Sequence, residues 1–254
     1  IDCGVAPDKI IATNRSKEKQ QALHQAHGIV THLSNQEAIA KGNVIVLGVK
    51  PQMMQELLAS LVADGVSFDN KLIITVAAGL NSETYLNILG NVRFIRSMPN
   101  TPSMIGLGMA GLYSATDSTR FDDRTREQDA AVAECMFSAV GRSIWVAREA
   151  QINDVAALSG SGPAYFFLFM ETMINKAKAM GFDEKTANLL IKQTALGASQ
   201  MAQSADVEEL RRNVTSPGGT TQAAIEVFMQ QDLQHIVTKA LDASVARAEQ
   251  LSKI

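Results

Sequence analysis

In the first half of the chain, short apolar runs alternate with stretches whose apolar positions recur at helical spacing. The apolar runs predict strands at Lys9–Thr13, Val44–Val49, Leu72–Val76, Val92–Ile95 and Ile144–Val146. Helices are predicted between them, among others at Lys17–Ala26, Met53–Val62 and Ser82–Leu89. Continuous apolar strands separated by helices are typical of a parallel sheet covered on both faces. We therefore expect an α/β fold of the doubly wound Rossmann type.

The second half has helical spacing only. Its clearest apolar stripe predicts a helix that runs almost to the end of the chain, and consists of Leu233, Ile236, Val237, Ala240, Leu241, Val245, Ala248 and Leu251. A second stripe has small residues suited to close helix packing between subunits: Ala195, Gly197, Ala198, Ser199 and Ala202. Because the pattern changes near residue 147, we expect an α/β domain over residues 1–147 and an all-α domain over residues 148–254.

The composition of the chain limits the kinds of molecule that the protein could bind. The chain has 254 residues and a formal net charge of -3, so it has no basic field that would attract nucleic acid. Its longest apolar run, Tyr165–Met170, is too short to span a membrane. Cys3 and Cys135 are far apart, and His24 and His27 have no third ligand nearby. We therefore expect a cytoplasmic protein without a disulfide framework or a metal site.

The strand predicted at Lys9–Thr13 ends in the tripeptide Asn14-Arg15-Ser16. In a dinucleotide-binding unit, an acid at this place binds the ribose hydroxyls, whereas an arginine accommodates a 2′-phosphate. The tripeptide therefore favours NADP(H) over NAD(H), with NAD(H) left open. The alternative is that Arg15 is a solvated residue at the start of a helix.

The glycine fingerprint that should precede this strand is absent from the sequence. The chain opens with Ile1-Asp2-Cys3-Gly4, which resembles the tail of the helix that would follow a glycine loop. We expect the first strand of the sheet, the phosphate loop and most of the first helix to lie outside this sequence.

Three further turns follow predicted strands. Lys50-Pro51 and Ala77-Ala78 lie where parallel strands end, which is where such sheets bind ligands, although proline and small residues are also ordinary helix starts and turns. Asn100 lies between two prolines that fix the backbone, either to hold its side chain toward the cleft or to form a rigid connector.

Taken together, the motifs resemble those of the pyrroline-5-carboxylate reductases, the enzymes that make proline. The resemblance covers essentially the whole chain through GVKP at 48–51, AAG at 77–79, MPNTP at 98–102, SGSGPAY at 159–165 and SPGGTT at 216–221. It implies an NAD(P)H-dependent reduction of the cyclic imine 1-pyrroline-5-carboxylate to L-proline. It also implies a helical domain that intertwines with its twin in a homodimer, with dimers often assembled into decamers.

The resemblance also implies roles for single residues. Positions that would line the cofactor are Asn35, Val49, Lys50, Ala77, Ala78 and, from the helical half, Asn213; the turn residues Pro51 and Asn100 join them as candidates. Glu149 falls where the family has an acid near the proline ring, and the loop with Ser216, Gly218, Gly219, Thr220 and Thr221 falls where the family binds its substrate.

The loop at 216–221 has a chemistry of its own. A helix that begins after Pro217-Gly218-Gly219 leaves the N–H groups of its first turn without partners. Glycine has no Cβ, so a ligand can approach these N–H groups closely. These N–H groups suit a small carboxylate, and the hydroxyl of Thr221 can donate or accept at the ring nitrogen. No histidine or cysteine stands beside the loop, so we expect Thr221 to orient the imine, which arrives protonated or takes its proton from water.

Two other functions remain as alternatives. One is a dehydrogenase of the β-hydroxyacid type, which also joins a Rossmann half to a helical half, but Lys176 and Lys178 lie too far beyond Pro163 for its catalytic lysine. The other is a non-catalytic NADP-binding scaffold, which would bind NADPH without consuming it.

Overall fold

The computed structural model of the chain describes residues 4–90 and 92–252. These residues form two compact units. The first contains residues 4–160 and the end of the last helix from Ser244, and the second is Ser161–Ala243. The helix tail predicted at Ile1-Asp2-Cys3 lies outside the described residues. The predicted division at residue 147 stays a prediction.

The first unit is a sheet flanked by helices. Its strands are β1 (Val44–Leu47), β2 (Leu72–Thr75), β3 (Arg93–Met98), β4 (Gly108–Ser114) and β5 (Gly141–Trp145). Its helices are α1 (Lys17–His27), α2 (Asn35–Lys41), α3 (Pro51–Ala63), α4 (Ser82–Leu89), α5 (Asp123–Ser138) and α6 (Gln151–Val155). A π-helical turn, Ala156–Gly160, follows α6 directly.

The five strands lie side by side in chain order. β1, β2 and β3 are parallel, β4 is antiparallel to β3, and β5 is parallel to β4. One face of the sheet packs on α3 and α4 through Ile73 and Phe94, and the other packs on α5 through Ile74 and Ile95. The prediction of a Rossmann-type sheet covered on both faces is confirmed, and the carboxyl ends of β1, β2 and β3 share one edge.

Two strand predictions differ from the structure. Within the described residues, the segment predicted as a strand at Lys9–Thr13 pairs only through a parallel bridge between Ile11 and Val30, so it forms no ladder. β4 was not predicted, because Gly108 and Gly111 lower the strand signal of its sequence. These glycines are nevertheless required by packing: a Cβ at Gly108 would lie 2.8 Å from the carbonyl oxygen of Val140.

The second unit is all helical, as predicted. It contains α7 (Gly162–Ala179), α8 (Glu184–Met201), α9 (Val207–Asn213), α10 (Thr220–Gln230) and the larger part of α11 (Leu233–Leu251). Among residues 161–243, only Gly162, Ala177 and Ala187 are buried, whereas apolar side chains such as Phe166 and Met229 are more than two-thirds exposed. Within the described ranges, no helix has both the length and the apolar character needed to cross a membrane.

The contact between β4 and α6 gives a test of this packing. A Cβ at Gly111 would lie 2.8 Å from Cγ2 of Val155, so Gly111→Ala should lower the free energy of unfolding by about 1–3 kcal/mol through overpacking. Urea unfolding followed by circular dichroism measures the effect. Because Val155→Ala removes the methyl groups that clash, the double variant should lose less stability than the two single variants combined. Additive losses would show that α6 does not pack on Gly111.

Candidate active site

The carboxyl end of β1 leads into an exposed, positively charged helix start. Lys50 is the exposed N-cap residue of α3, Pro51 is its first residue, and no side chain caps the helix. Val49 is half-buried between the strand and this helix start. Because the N-terminus of a helix attracts anions, this corner suits a phosphate group.

Arg15 lies against the same corner. Its Nη2 atom is 3.8 Å from Sδ of Met53 in the first turn of α3, and its side chain is exposed. The preceding residue shapes the turn, because Oδ1 of Asn14 accepts a hydrogen bond from the backbone N–H of Ser16 at 2.9 Å. The guanidinium of Arg15 therefore lies next to the uncapped start of α3, and its contact with a 2′-phosphate stays a prediction.

Ser16 has partners within its own helix. Its hydroxyl donates to Glu18 at 2.6 Å and accepts from the backbone N–H of Lys19. The hydrogen bond from Ser16 lowers the pKa of Glu18. A contact between Ser16 and the cofactor stays a prediction, as does one from Asn35, the half-buried first residue of α2.

The segment between β2 and α4, residues 76–81, is called the β2–α4 loop below. Ala77 is buried and its N–H donates to Oγ1 of Thr75 at 3.2 Å, whereas Ala78 is exposed. Gly79 has a φ of 97°, a conformation that side chains rarely adopt. Small side chains at the carboxyl end of a central strand permit close backbone approach by a ligand, so this loop fits a dinucleotide.

Asn100 connects three parts of the first unit. Its Oδ1 accepts a hydrogen bond from the backbone N–H of Met109 at 2.9 Å, and its Nδ2 donates to the carbonyl of Ser159 at 3.0 Å. The side-chain amide therefore joins the end of β3 to β4 and to the π-helical turn. Both ends of the amide have protein partners, so its predicted contact with the cofactor stays a prediction.

The carboxylate of Glu149 accepts three hydrogen bonds within the first unit. Oε1 accepts from the backbone N–H of Ser82 at 2.6 Å and from Nη1 of Arg96 at 2.9 Å, and Oε2 accepts from the hydroxyl of Ser82 at 2.5 Å. A role for Glu149 at the substrate stays a prediction, and the structure gives its carboxylate these other partners.

Arg96 and Ser82 were not singled out from the sequence. Arg96 is only 2% exposed, and it lies on β3 beside Thr75 of β2. Burial raises the pKa of the neighbouring phenol of Tyr85, while its hydrogen bond with Thr75 and the charge of Arg96 act in the opposite direction. The sequence contained a signal for Arg96, because an arginine within an otherwise buried strand segment requires a partner of opposite charge.

In the second unit, the loop at 216–221 ends in the start of α10. Gly219 is the N-cap residue, no side chain caps the helix, and no group in the described chain accepts from the N–H of Thr220 or Thr221. The N–H of Gly218 is already used, because it donates to Oε1 of Gln222 at 2.6 Å. The predicted helix start with open N–H groups is confirmed for the first two residues of α10.

The other predicted residues of this unit flank that helix start. Asn213 is the exposed last residue of α9, and the carbonyl of Ser216 accepts from the N–H of Gly219 at 3.0 Å. Thr221 is half-buried, and its hydroxyl has no hydrogen-bond partner among the described residues. Roles for Asn213, Ser216 and Thr221 in binding stay predictions.

Two known protein families match separate parts of the chain. Residues 149–251 match the family described as pyrroline-5-carboxylate reductase dimerisation. Residues 1–79 match the family described as NADP oxidoreductase, coenzyme F420-dependent.

Individual proteins match over nearly the whole chain. The pyrroline-5-carboxylate reductase of Vibrio alginolyticus is 44% identical over 99% of this chain and 90% of its own length. The solved structure of the Coxiella burnetii pyrroline-5-carboxylate reductase is 40% identical in sequence and has a TM-score of 0.88. The match covers 99% of this chain and 91% of that chain.

A third match shows the same fold at lower identity. The Plasmodium falciparum pyrroline carboxylate reductase, solved with NADP bound, is 23% identical with a TM-score of 0.82, over 99% of this chain and 90% of its own. The matched domains, the identity to the Vibrio enzyme and the order of the motifs agree. This chain belongs to the pyrroline-5-carboxylate reductase family.

Proposed function

We propose that this chain reduces 1-pyrroline-5-carboxylate to L-proline, the last step of proline biosynthesis, with NADPH as the reductant. As a member of its family, the chain is an NAD(P)H-dependent oxidoreductase that acts on a C=N bond. The observation that supports this substrate best is the open start of α10, where the N–H groups of Thr220 and Thr221 follow two glycines. The substrate is a small cyclic imine with one carboxylate, and these groups suit that carboxylate.

The first turn of α10 binds the carboxylate in this proposal. Two N–H groups point out of the helix start, where the helix dipole adds a partial positive charge. Hydrogen bonds to a charged partner contribute about 1.5–3 kcal/mol each, which is enough for two of them to anchor a small acid. Gly218 has a φ of 71°, so a side chain at that position would strain the turn that exposes these groups.

Thr221 orients the ring of the imine. Its hydroxyl lies in the same turn as the carboxylate site, so it can donate to or accept from the ring nitrogen. Residues 213–221 contain no histidine or cysteine that would act as a strong acid. The proton on the nitrogen therefore comes with the substrate or from water, and Thr221 holds the nitrogen in place rather than driving the transfer.

The first unit holds the cofactor. Arg15 and the start of α3, with Lys50 and Pro51, suit the phosphates, and Ala77 and Ala78 give the backbone close access to the dinucleotide. When bound, NADPH supplies the hydride that adds to the carbon of the C=N bond. The protein binds, orients and shields the reactants.

The second unit supports assembly with another copy. Its helices bury few residues and expose long apolar side chains, including Phe166, Phe167 and Leu189. An exposed apolar surface of this extent is typical of an oligomer interface. We infer a homodimer built on residues 149–251, which match the family's dimerisation domain, and dimers assembled further into a decamer. We place the enzyme in the cytoplasm, since its two cysteines fit a reducing compartment.

Turnover tests the function directly. The full chain is mixed with NADPH and 1-pyrroline-5-carboxylate, and loss of NADPH absorbance is followed together with the appearance of proline. We expect both to proceed at equal rates. Binding of NADPH without its consumption would identify a scaffold. Consumption of NADPH only when a 3-oxo acid replaces the imine, with a 3-hydroxy acid formed, would identify a dehydrogenase of the β-hydroxyacid type.

The role of Thr221 gives a second test. Thr221→Ala should lower kcat by about 10- to 100-fold, the effect of one lost hydrogen bond to a charged group, while NADPH affinity stays nearly unchanged. Thr221→Ser keeps the hydroxyl and should retain most of the activity. Equal rates for Thr221→Ala and the unmodified enzyme would remove Thr221 from the site.

The choice of cofactor depends on Arg15. Arg15→Ala should weaken NADPH binding by about 10- to 100-fold through loss of a charge-assisted contact, and leave NADH binding unchanged. Titration of each nucleotide by fluorescence measures both values. Lys19→Ala, which removes another exposed cation from the same region, is the control. If Arg15→Ala weakens NADH and NADPH equally, Arg15 does not contact the 2′-phosphate.

A further inference from the structure

A cluster of polar side chains, buried except for Glu149, lies beneath the β2–α4 loop and has no role in the function proposed above. It consists of Thr75, Ser82, Tyr85, Arg96 and Glu149. Thr75 and Arg96 are register partners on adjacent strands, so their side chains lie on the same face of the sheet as α4. Arg96, Thr75 and Tyr85 are each at most 2% exposed.

This cluster fixes the start of the β2–α4 loop. The carbonyl of Thr75 accepts from the hydroxyl of Ser97 at 2.7 Å, and Oγ1 of Thr75 lies 3.0 Å from the hydroxyl of Tyr85. The same Oγ1 accepts from the N–H of Ala77. The backbone is therefore held on both sides of the point where β2 ends.

The cluster also fixes the end of the loop. The carboxylate of Glu149 binds both the N–H and the hydroxyl of Ser82, the first residue of α4. A negative charge at this place is favoured by the helix dipole, and it satisfies an N–H group that the helix leaves open. Asn81, the N-cap residue, satisfies another open group of this turn by accepting from the N–H of Thr84 at 2.9 Å.

Arg96 holds Glu149 in this position. The Arg96 side chain is 3% exposed and donates to Oε1 of Glu149, whereas Glu149 is 24% exposed and comes from the loop after β5. Without this pair, the carboxylate of Glu149 would not be fixed at the start of α4. The charge of Arg96 would also lie inside the sheet without a partner of opposite charge. Between the two fixed ends, Ala78 remains exposed.

We propose that Glu149 is a positioning residue for the cofactor: held by Arg96, it fixes Ser82 and thereby the backbone of Ala77 and Ala78. The proposal rests on the proposed cofactor role of Ala77 and Ala78. It differs from the role that the family resemblance implies for Glu149, namely contact with the substrate. Under the proposal, loss of Glu149 loosens the loop and weakens NADPH binding, whereas the site for the imine carboxylate in the second unit is unaffected.

The test compares two variants. Glu149→Ala removes every bond to Ser82 and Arg96, and Ser82→Ala removes only the hydroxyl contact while the Arg96–Glu149 pair remains. NADPH binding is titrated without imine, and KM values for NADPH and for 1-pyrroline-5-carboxylate are measured separately. Ser138→Ala, which removes an exposed hydroxyl bonded to the carbonyl of Cys135, is the matched control.

We expect the dissociation constant for NADPH to rise by about tenfold in Glu149→Ala, because NADPH must then order the loosened loop when it binds, and by a smaller factor in Ser82→Ala. The KM for the imine should stay close to that of the unmodified enzyme in both. Faster hydrogen exchange of the amides at 76–81 should accompany the weaker binding. Glu149→Gln, which keeps the shape and an accepting oxygen, should recover part of the affinity.

Unchanged NADPH affinity in both alanine variants overturns the proposal. A higher KM for the imine with unchanged NADPH affinity overturns it as well, and assigns Glu149 to the substrate. If Glu149→Ala does not fold, Ser82→Ala decides alone. Because binding is measured without imine, the result is independent of turnover, so a failure of the reductase assignment and a failure of this inference remain distinguishable.

Discussion

The buried charge of Arg96 is the constraint on which the cofactor half of the molecule depends. β3 is a central strand in which Arg96 is buried beside Phe94 and Ile95, so its guanidinium must be matched by a carboxylate in reach. Glu149 supplies it and binds the start of α4 with its remaining acceptor positions. Because Glu149 is 24% exposed, loss of this pair costs less than the roughly 3–5 kcal/mol of a fully buried pair, but loss of Glu149 still leaves the charge of Arg96 buried and unmatched. One ion pair therefore fixes β3, α4 and the loop after β5 relative to one another.

Side chains cap most helix starts in both units, and the start of α10 is an exception. In the first, α1, α2, α4 and α5 are capped by a serine, asparagine or aspartate side chain, and Glu149 adds a further acceptor at α4. In the second, Asp183 caps α8 and Asp206 caps α9, whereas α10 begins at Gly219 without a side-chain cap. A cap at α10 would occupy the N–H groups that suit the substrate carboxylate. The uncapped helix starts include those of α3 and α10, which are proposed to bind anionic groups of the cofactor and of the substrate.

The elements that could be predicted from the sequence are those encoded in short, continuous stretches of it. Leu72-Ile73-Ile74-Thr75 is buried on both faces and reads as a strand, and Pro217-Gly218-Gly219 marks the start of α10. β4 was missed because its glycines are required by neighbouring backbone and by Val155, which only the folded chain brings close. The pairing of Arg96 with Glu149 joins residues 53 positions apart, so no local pattern encodes it. The hydrogen bond from Asn100 to the carbonyl of Ser159 also joins residues distant in sequence, so the local pattern around Asn100 does not predict it.

The proposed function depends above all on the start of α10 as the site that binds the carboxylate of the substrate. A crystal structure of the full chain with NADP and L-proline, the product, tests it most directly, through the distances from the proline carboxylate oxygens to the backbone nitrogens of Thr220 and Thr221. We expect distances of about 2.7–3.2 Å, those of ordinary hydrogen bonds. A proline carboxylate bound elsewhere, for example at Arg15 or Arg96, with the N–H groups of Thr220 and Thr221 facing water, would contradict it.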